Sequence, residues 1–212
     1  MAYHPETHHR RTIRLKGYDY AQAGAYFVTI CAYQRTCLFG HVENGTVMLS
    51  QYGHLAEQCW KVLSRDFPRV ELDVFVVMPN HLHGIIILTG RHTAGRGEAF
   101  ARRRQERPQS TLVNASPLRS ARGTQPGSLA AIVQNFKSVS TRKINRIRAT
   151  PAMPVWQGNY YEHIIRDEDE LSRIREYIVN NPLQWAVDRE NPSFRATHAS
   201  PLQHPKDAPW RV

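Results

Sequence analysis

Apolar side chains recur along this chain with two different periods, every second residue in some stretches and every three to four in others, which separates predicted strands from predicted helices. The segment AYFVTICAY, from Ala25 to Tyr33, is dense in aromatic and β-branched residues and predicts a strand. Cys37 to Val42 and Thr46 to Leu49 flank Glu43-Asn44-Gly45, whose Asn-Gly pair supplies hairpin-turn chemistry. Ser50 is placed to cap a helix reaching about Arg65, with Leu55, Cys59, Val62 and Leu63 near helical spacing. Val70 to Met78 predicts another strand, broken by Pro79. HLHGIIIL, His81 to Leu88, predicts one more, and its run of isoleucines suits a central position in a sheet.

Residues 90–126 are rich in Arg, Gly, Ser and Pro without any period, and predict a long loop or disordered insertion. From Ser128 to Arg148 the helical period returns, with Leu129, Ile132, Val133, Phe136 and Val139 on one stripe and Lys137, Arg142, Lys143 and Arg146 elsewhere. VWQGNYYEHIIR, from Val155, has strand character. Asp167 and Glu170 then form an acidic capping box for a last helix carrying Leu171, Ile174, Tyr177 and Ile178, which is expected to stop at Asn180-Asn181-Pro182. Residues 1–12 read as a flexible lead-in, 13–192 as one domain with the insertion at 90–126, and 193–212 as a flexible tail. Helices alternating with antiparallel hairpins fit an α+β sandwich, a mostly antiparallel sheet with helices packed on it. The spacing is compatible with a ferredoxin-like core.

Composition changes this picture little: 212 residues, 41% of them hydrophobic, suit one domain with a real core. No apolar run approaches a membrane span, and Met1-Ala2-Tyr3-His4-Pro5 lacks the apolar core of a signal peptide. Cys31, Cys37 and Cys59 form no CxxC pair and read as reduced thiols of a cytoplasmic protein.

Charge changes it more. The net charge is +10, and residues 90–150 hold 13 Lys or Arg against two acids, Glu98 and Glu106, so that window is +11 and the remainder −1. Arg102, Arg103 and Arg104 of the insertion, with Lys137, Arg142, Lys143 and Arg146 of the predicted helix, are the candidate contacts for a polyanion, nucleic acid above all. A solvated basic loop without a partner is the alternative.

The remaining chemistry lies in histidines and tyrosines. His81 and His83 are two residues apart on a predicted strand, so both leave the same face, where neutral imidazoles side by side make good divalent-metal ligands. By spacing alone, two ordinary histidines on a half-buried strand explain the pair equally well. Tyr177, by periodicity, is a core aromatic beside Ile174 and Ile178.

The surrounding motifs carry a resemblance. VVMPNHLHGIII (Val76 to Ile87) is similar to the HUH region of the REP-associated tyrosine transposases, with Leu82 as the hydrophobic residue between the histidines. GAYFVTIC from Gly24, NFKSVSTRKIN from Asn135, VWQGNYYEHIIR from Val155 and IREYIVNNPLQW from Ile174 follow in family order, so the resemblance spans roughly residues 10–192. It implies a ferredoxin-like fold in which His81 and His83 hold Mg²⁺ or Mn²⁺. It makes Tyr177 the nucleophile and Asn181 the polar residue completing the metal site. Positions i and i+4 share a helix face, which suits the last pair. Asn181 precedes Pro182, which disfavours helical geometry there, and Asn180 is the fallback. Tyr160 and Tyr161 are the rival nucleophiles, read as packing or base-stacking residues, and His163 as a histidine hydrogen-bonded within the fold.

The implied function is a single-strand DNA endonuclease and strand transferase acting through a 5′-phosphotyrosine, on hairpin-forming DNA, in the bacterial cytoplasm with the nucleoid. No GxxxxGK[ST] loop is present, and resealing a phosphotyrosine diester needs none. Monomer and homodimer both stay open. So do two other functions, an HUH replication initiator or relaxase, and a non-catalytic nucleic-acid-binding protein on the same scaffold.

Overall fold

A computed structural model describes residues 15, 17–90, 124–188 and 190–197. Strand β1 (Gly24–Cys31) leads through a 3-10 turn (Tyr33–Arg35) into a hairpin, β2 (Gly40–Glu43) and β3 (Thr46–Leu49). Helices α1 (Gln51–Lys61) and α2 (Leu63–Asp66) follow, then β4 (Val70–Met78) and β5 (His81–Leu88). After the insertion come α3 (Leu129–Ile147), β6 (Tyr161–Ile165), α4 (Glu168–Asn180), a 3-10 helix (Asn181–Val187) and α5 (Pro192–Thr197).

The main sheet has the order β4-β5-β1-β6, with every neighbouring pair antiparallel. Without the β2–β3 hairpin, the chain runs strand, helix, strand, strand, helix, strand, and its last strand lies beside its first. That is the ferredoxin-like arrangement expected from the sequence. Local chemistry places the elements. Asn44 and Gly45 take positive φ (50° and 73°) in the β2–β3 turn. Ser50, Ser128 and Asp167 cap α1, α3 and α4 through side-chain oxygens that accept from Gly53, Ala131 and Glu170 backbone N–H groups.

Three details differ from the sequence expectation, and a 3-10 continuation adds to it. The helix after Ser50 breaks at Val62, giving α1 and α2. Only Tyr161–Ile165 of the aromatic segment joins the sheet, with Trp156 forming an isolated bridge to Ala32. As expected, the α-helix stops at Asn180, ahead of Pro182. Pro182 sits in the first turn of the 3-10 helix, where its missing N–H leaves no bond broken, and the chain runs on to Val187. The expected tail opens with α5, because Pro192 suits a first turn and Asn191 Oδ1 accepts from Ser193 N at 3.0 Å. The lead-in, most of the insertion (91–123) and residues 198–212 lie outside the described residues. No helix among the described residues is long and apolar enough to cross a membrane.

The sheet is covered on both faces. On one, α1 and α3 pack Cys59, Trp60, Leu129, Ile132, Val133 and Phe136 against Tyr26, Val28, Leu82 and Ile86. On the other, α4 packs Leu171, Ile174 and Ile178 against Ala25, Phe27 and Ile85. Gly84 belongs to the first face, and a Cβ there would lie 2.5 Å from Cζ2 of Trp60 and 3.1 Å from Cβ of Phe75. The indole of α1 therefore rests on bare backbone of β5, directly behind the next residue's outward side. Gly84→Ala is expected to lower unfolding stability by roughly 1–3 kcal/mol through overpacking, measured as a shift in denaturant midpoint at unchanged slope.

Candidate active site

Strand alternation builds the site. Along β5, Leu82, Ile86 and Leu88 turn to the α1/α3 core, so His81, His83 and Ile85 turn to α4. Both histidines are buried, with ring centroids 4.4 Å apart. Burial of two imidazoles is tolerable only if each is hydrogen-bonded and uncharged.

The bonds decide which nitrogen carries the proton. Asn80 Nδ2 donates to the carbonyls of Arg35 (3.1 Å) and Glu190 (2.6 Å), which turns Asn80 Oδ1 towards His81 Nδ1 at 2.8 Å. An amide oxygen only accepts, so His81 Nδ1 is the protonated nitrogen and Nε2 keeps its lone pair. His83 Nδ1 lies 2.8 Å from Thr29 Oγ1 on the neighbouring strand, and its Nε2 lies 3.4 Å from the Tyr177 hydroxyl. With the phenol donating, His83 Nε2 is the accepting nitrogen and Nδ1–H points to Thr29. Two unprotonated Nε2 atoms thus belong to one site. Burial holds both rings neutral: it pushes His83 down to about 3, and His81 well below the usual imidazole range with help from the charge of Arg35 and from His83.

Tyr177 comes from α4, one turn before Asn181. Its ring meets Phe27 and His83 edge-on, with centroids 6.1 and 5.3 Å away. Burial raises its hydroxyl pKa, the charge of Asp188 adds to that, and the Asn181 side chain opposes it. Asn181 has helical backbone (φ −57°, ψ −40°) despite the following proline and is buried, whereas Asn180 is half-buried. The i, i+4 relation from Tyr177 to Asn181 is therefore kept.

Among the described residues, His81 Nε2 and Asn181 Oδ1 are buried atoms with no hydrogen-bond partner at proper geometry, although Asn181 stands near enough to favour the protonated form of His81. Two buried acceptors without a donor cost free energy unless something positive serves both. No group of three His, Cys, Asp or Glu side chains converges to hold a metal among the described residues. The fitting donor set is two imidazoles and one amide oxygen, a set that suits a divalent ion retaining water ligands.

The other expected site residues are dispersed. Arg102, Arg103 and Arg104 lie outside the described residues. Arg142, Lys143 and Arg146 are exposed on α3, across the sheet from the histidines, with Arg142 Nη1 donating to Ser138 Oγ at 2.7 Å. Lys137 is tied into the fold. Its Nζ donates to the carbonyls of Gln157, Gly158 and Asn159 at 2.9, 3.2 and 2.9 Å and lies 5.4 Å from the Tyr160 ring centre, so it clamps the loop leading to β6. Desolvation there lowers it to about 8. Trp156 is core, stacked on Phe39 at 4.6 Å with its indole N–H donating to Ser140 Oγ. His163 pairs with Glu170 at 2.7 Å, a hydrogen bond within the fold as expected. Sequence reasoning missed Asn80, Thr29, Arg35 and Asp188. Only Asn80 left a signal, an asparagine directly before the first histidine.

No family model matches the chain. An uncharacterised protein of Haemophilus influenzae is 41% identical over 190 residues, which cover 88% of this chain and 96% of that one. The two belong to one family. The structure of a REP-associated tyrosine transposase bound to a REP hairpin aligns over 82% of this chain and 74% of that one, with a TM-score of 0.50 and 17% identity. This chain has the fold of the REP-associated tyrosine transposases. In this transposase fold the Tyr177 helix lies on the face of the sheet opposite α1 and α3.

The buried neutral histidines make acid stability of the metal-free protein a test of this geometry. Their folded pKa values are depressed below the unfolded value, so the unfolded chain binds more protons as pH falls through 6.5, and stability is lost below that point. For His83 the loss between pH 7 and pH 5 is about 2 kcal/mol. Denaturant melts of His83→Gln are expected to show a smaller loss over this range than the parent. An equal loss in both would mean that His83 is charged or solvated in the folded state.

Proposed function

We propose that the chain is a divalent-metal-dependent single-strand DNA endonuclease and strand transferase of the tyrosine transposase type. In this reading Tyr177 is the nucleophile, and His81, His83 and Asn181 hold Mg²⁺ or Mn²⁺. One observation carries it. The Tyr177 hydroxyl stands 3.4 Å from His83 Nε2, in a site where His81 Nε2 and Asn181 Oδ1 are buried without hydrogen-bond partners. Core packing alone gives no reason to assemble these groups.

A divalent cation, when bound, supplies Lewis-acid polarisation of the scissile phosphate. The protein's own groups do the rest. Asn80 and Thr29 hold the two imidazoles in the tautomer that presents Nε2. Phe27 fixes the Tyr177 ring edge-on, so the phenol oxygen has little freedom to lose before attack. Tyr177 Oη forms a bond to phosphorus, the bond from phosphorus to the 3′ oxygen breaks, and the DNA stays attached through its 5′-phosphate. The phenolic proton is lost and one is gained by the leaving 3′ oxygen, so the step is balanced and reversible without ATP.

DNA with short hairpins and unpaired flanks is the proposed substrate, supported by the REP hairpin bound to the solved transposase and by the basic segregation of this sequence. The fold supports a path as well. Leu129 N bonds Tyr20 O before β1, while Asn145 bonds Met153 O and Tyr33 N bonds Val155 O beyond its far end. The exposed Arg142, Lys143 and Arg146 therefore belong to the end of the sheet that carries His81, and a single strand crossing that end meets both. Such a substrate puts the protein with the bacterial chromosome in the cytoplasm.

The decisive test is Tyr177→Phe. The variant is expected to lose at most about 1 kcal/mol of stability, to bind hairpin DNA and Mn²⁺ as the parent does, and to form no covalent DNA adduct on a denaturing gel. Adduct formation by this variant would remove Tyr177 as nucleophile. Recovery of the phosphate on a peptide holding Tyr160 or Tyr161 would move the role there. Neutralising Arg142, Lys143 and Arg146 together to Ala is expected to reduce the slope of log affinity against log salt by about 0.7 per lost single-strand phosphate contact. An unchanged slope would put the DNA elsewhere.

A further inference from the structure

The proposed ligand set has a deficit of charge. His81 and His83 are neutral and Asn181 carries no charge, yet a divalent cation is to sit among them. Arg35 is close enough to disfavour protonation of His81, adding positive potential. Hard cations such as Mg²⁺ and Mn²⁺ take oxygen ligands and as a rule at least one carboxylate. A buried dication with only neutral partners leaves its desolvation uncompensated.

Two carboxylates stand nearby. Glu190 is committed, since it forms an ion pair with Arg35. Asp188 differs. It lies just past the 3-10 helix that begins at Asn181, in a turn tied to the site by several bonds. Its Oδ1 accepts from Glu190 N at 2.8 Å, and the Glu190 carbonyl accepts from Asn80, the residue that orients His81. Asp188 N bonds the carbonyl of Trp185, whose ring lies 6.0 Å from the His81 ring. Asp188 Oδ2 is buried with no hydrogen-bond partner among the described residues. Its charge also reaches Tyr177, where it opposes formation of the phenolate.

We propose that Asp188 supplies the anionic charge of the His81–His83–Asn181 metal site, its free Oδ2 accepting hydrogen bonds from water ligands of the cation. Asp188 acts as a positioning residue rather than as a reacting group, and the inference rests on the metal-site reading above. Burial raises its carboxyl to about 6, and the charge of Arg35 opposes that rise.

The test is Mn²⁺ binding by the full chain without DNA, read by titration calorimetry and by the Mn²⁺-induced rise in Tm. Asp188→Asn retains an oxygen for the Glu190 amide and removes a buried charge, so the metal-free variant should melt no lower than the parent. Its Mn²⁺ affinity should fall roughly 10- to 100-fold, the usual effect of losing a partner of this kind. Asp188→Ser serves if the amide variant misfolds, and Asp188→Glu should recover part of the affinity. Mn²⁺ affinity within twofold of the parent in a folded Asp188→Asn variant overturns the proposal, provided His81→Ala abolishes binding. If binding to the parent is absent or survives His81→Ala, the metal-site reading itself fails and this inference falls with it.

Discussion

The rest of this structure depends on the strict alternation of one strand that is buried on both sides. On β5 the even-numbered residues must satisfy the helices α1 and α3, and Gly84 among them yields its volume to Trp60. The odd-numbered residues belong to the opposite face, and the first two are histidines. A one-residue slip of register would exchange the faces, driving both imidazoles into the aromatic core and exposing Leu82 and Ile86 to the site. Pairing with β1 along its whole length, from Gly24 with Leu88 to Cys31 with His81, prevents that slip. Two polar rings are thereby held at fixed separation in a place where water cannot reorganise around them.

Much of this was legible in the sequence because it depends on periodicity and on short-range chemistry. The run HLHGIIIL gave both the central strand and the shared face of the histidines. The caps at Ser50, Ser128 and Asp167 follow from side chains a few residues from the backbone groups they serve. The link from Tyr177 to Asn181 is one helical turn, and it holds because the 3-10 continuation accommodates Pro182. What was not legible depends on chain segments far apart. Thr29 meets His83 across 54 residues, and Asn80 meets Glu190 across 110. Nothing local distinguishes Thr29 from any other strand threonine, or Asp188 from any acid in a polar turn. The surroundings of Lys137 were hidden for the same reason, since the loop at 157–159 that folds over it lies 20 or more residues away along the chain.

The same burial that fixes the site's geometry sets its electrostatics. In water the phenol and the imidazoles would titrate near their ordinary values. Here desolvation pushes both histidines toward the neutral form and the tyrosine away from ionisation. These shifts act together. A neutral imidazole is the form that ligates a cation, and a protonated phenol is inert toward a phosphodiester. The imidazoles are thus held in the form that the proposed metal site requires, and the phenol in its less nucleophilic form.

That asymmetry supports a particular order of events for the proposed chemistry. With the hydroxyl pKa raised by burial and by the charge of Asp188, ionisation becomes favourable only when positive charge enters the site. The scissile phosphate brings negative charge and by itself makes ionisation harder still. Under the proposed chemistry, cation, phosphate and phenol would have to be present together before attack is favourable, which would gate the reaction by assembly. Exposed imidazoles on a solvated strand could not impose this condition, because water would screen each charge from the next.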